Sequence, residues 1–223
     1  MCGAGVPPGD GQSGPGSCVA CGADPQAIEI AAAILLVAGR GAYEDLSKLL
    51  AGDDAPKGRI LDLTGDAALS RMLERAAGYR AGRIVRQAAG DTGTTPAGPF
   101  RLPVEDATAT FDHLLLRNLL FCAEDPWAVV DEIARRLAPR GTFVLQEIFP
   151  WPIPAITAES PPGEDGVART RPVSGGVRYP LRFEIGADVI DRFASWGVMA
   201  EFYRPGLALD PAYRRAVLVG ERS

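Results

Sequence analysis

An apolar run, Ile60-Leu61-Asp62-Leu63, enters a helix through Thr64-Gly65-Asp66-Ala67-Ala68. In a strand–turn–helix unit that holds a nucleotide, glycines let the main chain approach the ligand where any Cβ would intrude. This turn keeps a single glycine. It points to a nucleotide-cofactor architecture while filling places that such a turn usually leaves empty. Each residue also has a local use: Asp62 suits capping of the turn that follows it, Thr64 a local hydrogen bond, and Ala68 packing.

Other chemistry-bearing residues are few. Cys18-Val-Ala-Cys21 has the shape of a zinc knuckle, and Cys2 offers a third thiolate. A closed structural site takes four ligands, usually from two such pairs, and no second pair exists. Asp24, or ligands from a partner across a dimer, would have to complete the set; otherwise these are flexible, redox-sensitive thiols. The sole histidine, His113, lies in the strand run HLLL beside Asp112, where a packed imidazole is the alternative to a catalytic one. Gln146 and Glu147 close the run TFVLQEI, and Glu147 is the carboxylate there that suits a base.

The elements that must position these groups follow from composition and pattern. A chain of 223 residues, 47% hydrophobic and 23% charged, supports one substantial core plus a tail. Its net charge of −5 argues against a nucleic-acid or anionic-lipid surface, which needs clustered Lys and Arg. Small molecules or other proteins are the expected partners. The run at 27–39 is too short to span a bilayer and is interrupted by Glu29, and the first residues lack a basic start followed by an apolar stretch, so a cytoplasmic location is expected. There, disulfide pairing of the cysteines is not expected.

Residues 1–25 are crowded with Gly and Pro and bury too little to offset the entropy of ordering, so they read as a flexible tail. From residue 26 to 223 helices and strands alternate, the signature of a parallel sheet covered on both faces. The pattern predicts helices at 26–38, 42–51, 68–78, 125–141 and 186–197, and strands at 59–63, 83–87, 111–120 and 142–148, with two more at the end of the chain. In the helix at 125–141, Asp125 suits the cap, Pro126 the first turn, and Trp127, Val130, Ile133 and Leu137 the buried stripe. Prolines and glycines punctuate 149–180, which reads as a long loop of the kind that forms lids.

This order and several motifs resemble the class I methyltransferases that use S-adenosylmethionine. The most specific part is LPVEDATATFDHLLLRNLLFCAEDPWAVVDEIARRLAPRGTFVL at 102–145, which resembles the family's "LPF-x-D-x-x-FD", apolar strand, "D-P", "E-I-x-R-x-L" helix and "P-G-G" strand entry, with Arg140 in place of the first glycine of the last turn. The resemblance implies a doubly wound, mostly parallel α/β sheet with an antiparallel C-terminal strand. It implies S-adenosylmethionine as cofactor, held outside the carboxyl ends of the strands.

Carried over residue by residue, the cofactor positions are Asp62, Thr64, Gly65, Asp66 and Ala68 at the first turn, Gln87 at the ribose, and Arg117 at the end of the fourth strand. Asn118, Cys122 and Glu147 fall at the acceptor pocket. Cys122 stands where many small-molecule members carry a histidine, and also suits the role of a small buried hydrophobe. An arginine at 117 would hold an acidic acceptor or fill space left by a cofactor.

The chain departs from the family pattern at three places. Thr64, Asp66 and Ala68 replace the three glycines of G-x-G-x-G; Arg86 and Gln87 stand where a ribose-binding acid is usual; no acid occurs in 97–101. Two functions follow: a small-molecule methyltransferase, or a pseudo-methyltransferase whose cleft or cysteine tail holds a protein partner or a second copy.

Overall fold

Leu114, Leu115 and Leu116 are each at most 4% exposed, so β3 (Phe111–Arg117) is covered on both faces and occupies the middle of a sheet. The computed structural model describes residues 25–38, 45–82, 102, 106, 108–150, 152–163, 169–172, 178–203 and 216–223. Its main elements are α1 (Pro25–Val37), α2 (Leu46–Ala51), β1 (Ile60–Asp62), α3 (Ala67–Leu73), β2 (Tyr79–Ala81), β3, α4 (Pro126–Arg136) and β4 (Leu137–Glu147). Four short strands follow, β5 (Ala158–Glu159), β6 (Thr170–Pro172), β7 (Arg178–Pro180) and β8 (Phe183–Glu184), then α5 (Asp188–Ala194), β9 (Val198–Tyr203) and β10 (Ala216–Arg222).

The six-stranded sheet runs β2-β1-β3-β4-β10-β9. β2, β1, β3 and β4 are mutually parallel, and β10 is antiparallel to both β4 and β9. The expected mostly parallel α/β sheet with an antiparallel C-terminal strand is therefore the one observed. One face carries Ile60, Leu115, Val144, Val217 and Val219 against residues of α1, α2 and α3. The other carries Leu61, Leu114, Leu116, Phe143 and Leu145 against α4 and α5. Because α3 leaves β1 on one face and α4 leaves β3 on the other, the strand order reverses between β1 and β3, where such sheets hold ligands.

Several element boundaries differ from the pattern reading for local reasons. Asp45 caps α2 by accepting from Lys48 N at 2.9 Å, so that helix starts at Leu46 rather than 42. Asp66 caps α3, accepting from Leu69 N at 2.7 Å, and the helix gives way to a turn after Leu73. Residues 83–87 lie outside the described residues; the described strand after α3 is Tyr79–Ala81. Leu137, expected as the end of the helical stripe, instead opens β4 and pairs with Phe111, the chain between Ala138 and Gly141 being accommodated by a register shift. Trp127 is only half-buried, while Val129, Val130, Ile133 and Ala134 are fully buried.

Among the described residues three short strands punctuate the long segment 149–180: β5 pairs with β8 beyond it, and β6 pairs with β7, both antiparallel. It is docked on the turn after β3: Arg182 N and Phe183 N both donate to Phe121 O, at 2.8 and 3.0 Å.

The run at 102–145 has a physical explanation. Glu132 of α4 is fully buried and accepts from Arg136 Nε at 2.9 Å and from Arg135. Arg136 in turn donates to Ala109 O at 3.0 Å and Asp106 O at 3.3 Å. The helix thus pins the chain that enters β3.

Candidate functional site

At the carboxyl end of β1, Asp62 is 1% exposed and surrounded by donors. Its Oδ1 accepts from Thr64 N at 2.9 Å and Thr64 Oγ1 at 2.7 Å; its Oδ2 accepts from Ser70 Oγ and Tyr79 OH, both at 2.8 Å. Four bonds from the chain occupy the capacity of a carboxylate. Asp62 therefore ties the turn, α3 and β2 together. Burial raises the Tyr79 hydroxyl pKa; Ser70's bond opposes this, while the charge and hydrogen bond of Asp62 reinforce it. Tyr79 thus stays a donor across the ordinary pH range.

Thr64 turns inward and is buried, and its Oγ1 also accepts from Asp66 N at 3.3 Å. Gly65 follows at φ +69°, a conformation that favours glycine, and among the described residues a Cβ placed there would meet nothing within 4 Å. The outer side of the turn is open. Asp66 spends its carboxylate on the start of α3. Asp62, Thr64, Gly65 and Asp66 are thus brought to one turn, whereas Ala68 sits on the inner flank of α3, packed in the core layer with Leu69 and Leu73.

Register assembles the next row. Asp62 pairs with Leu115 and Leu115 with Val144; one step further toward the carboxyl ends, Arg117 pairs with Gln146 and Gln146 with Val217. Cross-strand partners share a face, so Asp62, Arg117 and Gln146 all belong to the face covered by α1 and α3. Arg117, Asn118 and Gln146 are buried. Asn118 adopts φ +53° and donates its amide to Gln146 O at 2.8 Å, folding the chain back over the end of β4.

Glu147 belongs to the opposite face. It is fully buried, and its carboxylate accepts from Leu120 N at 2.7 Å and Ile148 N at 3.0 Å, fixing the turn that carries Cys122. Cys122 is half-buried with Sγ 3.4 Å from Asn118 O, a local contact. Gln87, Cys2, Cys18, Cys21 and Asp24 lie outside the described residues. Among the described residues no cluster of His, Cys, Asp or Glu has the arrangement of a metal site, and no helix is long and apolar enough to cross a membrane.

Tyr79 and Ser70 are the members sequence reasoning missed. Tyr79 follows Gly78 immediately, yet nothing in its spacing announces a bond to Asp62; only the parallel pairing of Ile60 with Tyr79 does.

Residues 68–145 match the model of a family described as a methyltransferase domain. No curated protein matches the chain. Among solved structures, an S-adenosylmethionine dependent methyltransferase from Mesorhizobium loti aligns at 14% identity over 79% of this chain and 95% of its own, with a TM-score of 0.46. A 1,6-didemethyltoxoflavin-N1-methyltransferase from Burkholderia thailandensis, solved with 1,6-didemethyltoxoflavin and S-adenosylhomocysteine, aligns at 14% identity over 88% of each chain, TM-score 0.43. An amino pentose methyltransferase from Micromonospora echinaspora aligns at 18% identity over 84% of this chain and 92% of its own, TM-score 0.40. The family match opens at Ala68, the last of the three positions where glycine is replaced, and runs through α4 to Leu145 in β4. The similarity to a methyltransferase domain thus covers α3 to β4, about a third of the chain.

Proposed function

We propose that this protein is an S-adenosylmethionine-dependent methyltransferase acting on a small-molecule acceptor. The observation that carries the reading is the open outer side of Gly65, at φ +69° in the turn that leaves β1 beside the point where strand order reverses. The fit to the cofactor is one of main chain rather than side chain. The backbone at Gly65 stays accessible, because Thr64 folds inward and Asp66 folds onto α3.

Residues 64–66 would hold the amino-acid end of the cofactor, and Arg117 would stand at the neighbouring strand end. When bound, S-adenosylmethionine supplies an electrophilic methyl group on a sulfonium. The chain's contribution is then positioning and exclusion of water, with a base required only for a protonated acceptor. The segment carrying β5 to β8, docked on Phe121, serves as the cover. The cytoplasm is the compartment we assign to this activity.

Isothermal calorimetry with S-adenosylhomocysteine and mass spectrometry of the supernatant from denatured, freshly purified protein test this reading. Saturable heat at micromolar to millimolar concentration, or co-purified cofactor, is expected. Absence of both overturns it.

A second reading has its own observation. The carboxylate of Asp62 is fully engaged by Thr64, Ser70 and Tyr79, which leaves it nothing to offer a cofactor. This favours a pseudo-methyltransferase that binds a protein partner or a second copy. On that reading, Gly at 64, 66 and 68 together restores neither binding nor methylation.

A further inference from the structure

Gln146 is fully buried, and neither its Oε1 nor its Nε2 has a hydrogen-bond partner among the described residues. Its main chain, by contrast, is tied into the sheet: the carbonyl accepts from Asn118 N, and the residue pairs with Arg117 on one side and Val217 on the other. Helix α1 packs across β4 and β10. On that helix Gln26 is 5% exposed, and its Oε1 likewise lacks a partner among the described residues. Further along α1 the buried residues are apolar, Ile30, Ala33 and Ile34. Two amides with unmade hydrogen bonds therefore occur on the two sides of one helix–sheet interface, Gln146 at the carboxyl end of β4 and Gln26 in the first turn of α1.

An unmatched buried amide is costly, and an apolar residue of similar shape would avoid the cost. Its retention at both sides points to a partner that arrives from outside. A primary amide presents C=O beside N–H in one plane, and the group that satisfies both at once is another amide edge with its donor and acceptor side by side. A carboxylate would oppose the carbonyl, and a ketone would leave it unmatched. Because Gln146 is closed to solvent on the face that α1 covers, an acceptor reaches it only when α1 lifts from β4, and the missing bonds make that opening less costly.

We propose that Gln146, with Gln26, forms the acceptor-recognition site, and that the acceptor carries a carboxamide, lactam or cyclic imide edge. Its designation as methyl acceptor rests on the methyltransferase reading; the recognition of an amide edge does not.

The test uses the full chain without cofactor and three probes of one size, benzamide, benzoate and acetophenone, followed by ligand-observed NMR titration. Benzamide is expected to bind with a Kd of about 1 mM, roughly tenfold tighter than the other two. Gln146→Met, which keeps length and removes the amide, should weaken benzamide about tenfold while raising Tm by about 2–4 °C. A fall in Tm, or wild-type protein that does not prefer benzamide, overturns the proposal. S-adenosylhomocysteine binding without benzamide preference sinks this inference alone; benzamide preference without S-adenosylhomocysteine binding sinks the methyltransferase reading alone.

Discussion

The hydroxyl of Tyr79, at the first residue of β2, donates to Asp62 Oδ2 at the last residue of β1 over 2.8 Å. Parallel pairing sets Tyr79 opposite Ile60, so the long side chain leans along the strand to reach the carboxylate two residues on. The bond closes a network through which β1, the turn and α3 are fixed relative to one another. Tyr79→Phe keeps the ring and removes a donor to a buried carboxylate, a loss of about 1.5–3 kcal/mol. Urea unfolding should show this as a lower midpoint at unchanged slope. A change under about 0.5 kcal/mol would mean the network does not hold the turn.

Gly65 separates strain from ligand contact. Among the described residues a Cβ there meets nothing within 4 Å, so Gly65→Ala costs only the left-handed backbone, about 1–2 kcal/mol. Gly65→Asn, which tolerates that conformation better, should cost less. Both add a side-chain atom to the open outer side of the turn. Both should therefore weaken S-adenosylhomocysteine about tenfold or more by calorimetry. Unaltered affinity in the two variants would show that the turn is not the cofactor's cradle.

Local signals made the frame legible. Asp125 and Pro126 mark the start of α4, and Asp125 Oδ1 does accept from Trp127 N and Ala128 N, at 2.9 and 3.2 Å. The leucines of β3 mark a strand buried on both faces. The site was legible only where it is contiguous, from Asp62 to Asp66. Tyr79 reaches Asp62 from 17 residues away, and Glu147 binds Leu120 N from 27 residues away. Arg117 and Gln146 become neighbours solely through register. Such relations depend on how strands pair, and no sequence window contains them.

Arg140 stands at φ +61° where the family pattern has glycine. The left-handed conformation costs a residue bearing a Cβ about 1–2 kcal/mol, against about 0.5–1 kcal/mol of extra unfolded-chain entropy for glycine. Arg140→Gly should therefore stabilise the protein by roughly 0.5–1 kcal/mol, read as a higher urea midpoint. A lower midpoint would show that the arginine contributes an interaction that outweighs its backbone.

Glu132 and Arg136 form a buried pair whose loss should be asymmetric. Removing Glu132 leaves the buried Arg136 charge without its carboxylate, at about 3–5 kcal/mol, whereas removing Arg136 leaves Glu132 still paired with Arg135. Glu132→Ala should thus approach global unfolding, and Arg136→Met should release Asp106 and Ala109, whose carbonyls it binds. Hydrogen exchange at Ala109, whose amide donates to Asp106 O, should accelerate in Arg136→Met. Protection equal to wild type would disprove the pinning role.

His113 and Asp131 predict two separate acid steps in stability. Burial holds the His113 imidazole below its ordinary value of 6.5, against the opposing charge of Asp112 and a bond to the Lys57 main chain; its Nδ1 lies 2.8 Å from Thr142 Oγ1. Above 6.5 the ring is neutral in folded and unfolded chains alike, so it has no effect. As pH falls below 6.5 the unfolded chain takes up the proton first, and stability declines until the folded imidazole also protonates. At Asp131, burial works to raise the carboxyl, but the bonds from Arg192 and Trp196 outweigh it and hold the group below 3.8. Its contribution is complete above 3.8 and is lost only as pH falls further. Tm measured across both windows should therefore dip once below about pH 6.5 and again below about pH 3.8. His113→Gln should remove the first decline and leave the second. A decline near neutral pH that persists in His113→Gln would assign it to another group.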